Sequence, residues 1–88
     1  MVGKIEVKKV VLDILKPLEP SIVEFAKGLN GLSGSKRVDL LVMEIDRSTE
    51  TLKATLEGAD IDLKALTKEI EKMGGTIHSV DQVLTEKD

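Results

Sequence analysis

The stretch VDLLVMEIDRSTETLKATLEG, residues 38–58, decides how the chain folds. Two apolar-rich runs flank the polar connection Arg47-Ser48-Thr49-Glu50, which is short enough to join neighbouring antiparallel strands. The second run alternates cleanly, with Leu52, Ala54 and Leu56 on one side and Lys53, Thr55 and Glu57 on the other. The first run, residues 38–46, is apolar at both parities: Val38, Leu40 and Val42 at one, Leu41, Met43 and Ile45 at the other. With the second set turned to the core, Val38, Leu40 and Val42 lie on the opposite sheet face with Glu44 and Asp46. A bulge would reverse this for part of the strand.

Outward from this hairpin, each side repeats the same order. IEVKKVVLDIL, residues 5–15, is rich in β-branched residues and reads as a first strand, with Val10, Leu12 and Ile14 on one face and Val11, Asp13 and Leu15 on the other. Pro17 and Pro20 bracket a short connection, and Pro20 suits the first turn of a helix carrying Ile22, Phe25, Ala26 and Leu29. GLSGSKR, residues 31–37, reads as a turn. After the hairpin, Asp62 caps a second helix with the stripe Leu63, Leu66, Ile70 and Met73, and Ile61 with Leu66 forms a hydrophobic staple. Gly74 supplies a left-handed exit and Gly75 room to turn. In the last strand Ile77, Val80 and Val83 are irregularly spaced, which implies a bulge near Ser79; the tail 85–88 is expected to fray. The order βαββαβ predicts an α+β ferredoxin-like sandwich, an antiparallel sheet ordered 4-1-3-2 with two helices on one face.

The 88 residues suit one domain, 1–88, with its core at about 5–84. So small a core leaves little stability to spare, and a subunit contact would add to it. Cysteine is absent, which removes disulfides, thiolate metal ligands and the paired-cysteine loop of copper chaperones. No segment has the length and apolarity of a membrane span, and the N-terminal apolar run is interrupted by charges, so a cytoplasmic location is expected. A formal charge of −3 and a single aromatic, Phe25, argue against nucleic-acid binding by base stacking. Lys36-Arg37 could touch a phosphate, but an ordinary solvated turn is the favoured reading of the pair.

The open sheet face is the feature that asks for a partner. Val11, Leu15 and, depending on register, Val38, Leu40 and Val42 form an apolar patch there, which predicts homo-oligomerisation. The same face collects His78 and the carboxylates of Asp13, Glu44, Asp46 and Glu57, oxygen donors suited to a hard divalent cation such as calcium or magnesium. Asp46, Ser48 and Glu50 alternate in the hairpin but lack the EF-hand pattern. His78, the sole histidine, lacks a second imidazole or thiolate and reads as an interface group or a support for ligands. Neither Ser79 nor Ser21 sits in a nucleophile elbow, and GLNGLSGSK lacks the ending of a phosphate loop. No catalytic residue emerges.

The segments VLDILKPLEPSIVEFAKGL, VMEIDRSTETLKATLEG and IEKMGGTIHSVDQV resemble the archaeal domain-of-unknown-function family 211 over nearly the whole chain. The resemblance implies a ferredoxin-like fold, an archaeal source, a homo-oligomer that is ring-like or higher, and cation binding at acidic positions. It directs attention to Asp13, Glu19, Glu44, Asp46, Asp81 and His78. Leu18 stands where histidine is expected from the resemblance, which removes a partner for His78. The resulting expectation is a homo-oligomeric cytoplasmic module that binds a divalent cation through Asp13, Glu44, Asp46 and Asp81, with His78 and Glu19 beside them. A small-ligand-sensing regulatory domain with pockets at subunit interfaces is the alternative; an enzyme with a site shared between subunits is third.

Overall fold

A computed structural model describes residues 3–32 and 34–88. The elements are β1 (Ile5–Pro17), α1 (Ile22–Asn30), β2 (Ser35–Ile45), β3 (Thr49–Gly58), α2 (Leu63–Lys72) and β4 (Thr76–Lys87). They form one four-stranded antiparallel sheet ordered β2-β3-β1-β4, the expected 4-1-3-2 arrangement read from the other edge. α1 lies against β2, α2 against β4, and the helices touch each other.

The core lies between the helices and one sheet face. β1 contributes Val10, Leu12 and Ile14, β3 contributes Leu52, Ala54 and Leu56, and the helices add Phe25, Leu29, Leu66 and Ile70. These are the inward parities expected of both central strands. Burial of these side chains at ~25 cal/mol per Å² of apolar area is the main force holding the layers together.

α1 begins after Ser21, whose side chain accepts from the Glu24 amide at 3.2 Å. Pro20 therefore precedes the cap rather than occupying the first turn. α2 begins after Asp62, whose carboxylate accepts from the Lys64 and Ala65 amides at 3.0 and 3.2 Å. Gly74, at φ +87°, ends it in the left-handed conformation expected.

Three further expectations are corrected. β2 begins at Ser35 rather than Val38, so Lys36 and Arg37 belong to a strand; Ser33, within the expected turn 31–37, lies outside the described residues. Thr85, Glu86 and Lys87 pair with Val7, Glu6 and Ile5, so this part of the C-terminal segment continues the sheet instead of fraying. Val38, Leu40 and Val42 pair with Leu56, Ala54 and Leu52 and pack against the core, not on the open face. A register shift between Val42 and Glu44 explains the mixed parity: Met43 is the extra residue, after which Glu44 pairs with Thr51 on the open face. The expected open-face position of Val38, Leu40 and Val42 is therefore overturned, while Glu44 faces away from the core.

Candidate functional site

On the open face, cross-strand pairing puts Leu41, Lys53, Asp13 and Ser79 in one row, and Glu44, Thr51, Leu15 and Thr76 in the next. Between the rows lies a depression of about 260 Å³ lined by Asp13, Leu15, Thr51 and His78. The histidine reaches it because β4 is bulged. Ser79 pairs with Asp13 and Ile77 with Ile14, which leaves His78 as an extra residue; Gln82 pairs with Val11 and Val80 with Leu12, which leaves Asp81 as another. His78 thus shares the depression with Asp13, and Asp81 accepts a hydrogen bond from the Ser79 hydroxyl at 2.8 Å.

The remaining expected ligands lie apart. Glu44 is two strands and two residues from Asp13, roughly 12 Å at ~4.8 Å per strand and ~3.3 Å per residue. Asp46 is used in the hairpin turn, where its carboxylate accepts from the Arg47 amide at 2.7 Å. Glu19 is exposed in the loop between β1 and α1. Among the described residues no group of three or more Asp, Glu or His side chains is arranged to hold a metal ion. Asp13 also enters none of the ion pairs among those residues, although Lys53 stands opposite it on β3. One chain thus offers a carboxylate, an imidazole and a threonine hydroxyl at the depression, fewer donors than the six to eight oxygens calcium takes.

The sequence reading passed over Lys16. It ends the inward row Val10, Leu12, Ile14, and its side chain has no solvent exposure. The ammonium donates to the carbonyls of Pro17 and Pro20, both at 2.7 Å, and more weakly to that of Leu18 at 3.4 Å. Glu50 Oε2 lies 3.2 Å away and the Phe25 ring centroid 5.8 Å. These acceptors engage the ammonium, so it fastens the β1–α1 loop rather than presenting a nucleophile. Its parity with Val10, Leu12 and Ile14 was the available signal.

An antiparallel sheet with two helices on one face and a free opposite face defines a ferredoxin-like domain. Residues 8–88 match DUF211, described as "Uncharacterized ArCR", and the chain belongs to that family. It is 46% identical over 81 residues to "Uncharacterized protein MJ0319" of Methanocaldococcus jannaschii, covering 92% of this chain and 84% of that protein. Among the described residues no helix is long and apolar enough to cross a membrane.

Proposed function

We propose that the chain is a cytoplasmic homo-oligomeric module in which the open-face depression at Asp13 and His78 is completed by another copy. The observation that carries this reading is the incomplete donor set: Asp13 and His78 converge with Thr51 and Leu15, and among the described residues no second carboxylate lines the depression. Exposed Leu15 and Leu41 border the same region, apolar surface that association would remove from water. In this reading calcium or magnesium binds in the assembled form, with Asp13 of one copy joined by carboxylates of the next. Neutralisation of clustered carboxylates by the cation favours that assembly.

Native mass spectrometry combined with elemental analysis tests both parts. The expected result is a multimer of the 9.6 kDa chain that retains a divalent ion and loses it in the Asp13→Asn variant. A monomer throughout the micromolar range defeats the assembly. A multimer free of metal after supplementation with calcium and magnesium retains the assembly and removes the cation.

A further inference from the structure

Two cationic dipeptides, Lys8-Lys9 and Lys36-Arg37, lie in strands, where consecutive side chains ordinarily point to opposite faces. Both occur at register shifts. β1 shifts against β4 between Val7 and Lys9, and β2 shifts against β3 between Ser35 and Arg37, leaving Lys8 and Lys36 as extra residues. Bulges re-aim side chains, and here all four cations line one depression of about 500 Å³. It lies at the opposite end of the open face from His78, since Lys9 precedes Asp13 by four residues on β1, about 13 Å at ~3.3 Å per residue.

Glu57 is central to the arrangement, paired with Lys9 on one side and Arg37 on the other. With Glu86 it gives the lining two carboxylates against four cations, a local positive excess on a chain whose formal charge is −3. Among the described residues Lys9, Lys36 and Arg37 enter no ion pair, and Lys8 has Glu6 at 3.1 Å. Like charges placed together repel one another, a cost that a bound anion reverses.

We propose that this depression binds a small ligand carrying two or more linked phosphoryl groups. The cations stand on β1 and β2, roughly 10 Å apart across β3, a span better matched by a linked phosphate chain than by one tetrahedral anion. Arg37 supplies a planar fork for two phosphate oxygens, and the lysines supply point charges. The depression's volume falls in the range of small-ligand sites, roughly 300–1,000 Å³. The sole aromatic, Phe25, is buried in the core, so the face has no ring on which to stack a base. Recognition therefore rests on the phosphates. Tripolyphosphate, ATP and GTP should bind with similar affinity, and orthophosphate more weakly.

NMR titration of the full chain at constant ionic strength tests the proposal. The amide signals of Lys8, Lys9, Lys36, Arg37 and Gly58 should move together and saturate with tripolyphosphate. The Lys9→Gln/Arg37→Gln variant, checked for an unchanged fold by its amide spectrum, should bind about ten-fold or more weakly, because each loses a charge-assisted contact. A control Lys64→Gln/Lys68→Gln variant on α2 should retain the original affinity, and Glu57→Gln should tighten binding by removing the central negative charge. Signal changes spread over every lysine, or equal affinity in Lys9→Gln/Arg37→Gln, would overturn the assignment. So would a single-stranded oligonucleotide that binds more tightly than tripolyphosphate at equal phosphate concentration.

Discussion

Lys16 is the residue whose environment most constrains the β1–α1 connection. Withdrawing an ammonium from water is costly, and here its carbonyl acceptors and the opposite charge of Glu50 replace the lost hydration. Glu50 is itself largely buried, at 15% side-chain exposure, so removing the lysine leaves a carboxylate without its counter-charge. Lys16→Met should therefore cost about 3–5 kcal/mol, a large share of the ~5–15 kcal/mol typical of a domain. Lys16→Met/Glu50→Leu should recover part of the loss because no lone buried charge remains. Recovery stays incomplete because the Pro17 and Pro20 carbonyls still lose a donor. Urea unfolding of both variants measures the difference; equal losses in the two would remove the ion pair as the cause. The inward position of Lys16 was legible from strand parity. Its partners were not, because Pro17 closes β1, Leu18 and Pro20 lie in the irregular loop after it, and Glu50 stands at the start of β3.

At the scale of elements, local signals served the helices better than the edge strands. Asp62 and Gly74 act on the backbone within a few residues, so α2 was readable at both ends. Asp62→Ala should lower stability by about 1 kcal/mol by leaving the Lys64 and Ala65 amides without their acceptor, while Asp62→Asn should lose less. Gly74→Ala should cost on the order of 1 kcal/mol through its positive φ. Guanidinium melts should show shifted midpoints with unchanged slopes; no change in Asp62→Ala would remove the capping assignment. In the edge strands, bulges depend on the neighbouring strand. Ile77, Val80 and Val83 recur every third position because His78 and Asp81 are extra residues in the pairing with β1. That irregularity flagged a bulge in advance. In β2 the bulge at Met43 ends the apolar run 40–43, where either parity suits the core, so its position left no comparable mark and the valines were assigned to the wrong face.

For the whole molecule, element lengths determine how much sheet the helices can cover. At ~1.5 Å per residue in a helix and ~3.4 Å in a strand, α2 spans about 15 Å and β4 about 40 Å. The chain is accordingly elongated, 53 Å along its longest axis and 17 Å along its shortest. Alternation made the free face legible from sequence, but parity alone could not select its residues: Leu41 belongs there in place of Val38, Leu40 and Val42. Leu15 and Leu41 remain 44% and 57% exposed, so a charge at either position costs the isolated chain little. The same charge at a packed subunit contact is unpaired and costly. If the open face joins copies, the unaltered protein should sediment as a multimer and melt at a temperature that rises with concentration, because association stabilises the folded chain by mass action. Leu15→Lys/Leu41→Lys should instead sediment at the 9.6 kDa of one chain, keep the same circular dichroism spectrum, and melt independently of concentration. A variant that retains both the multimer and its concentration dependence would place the subunit contact away from these leucines.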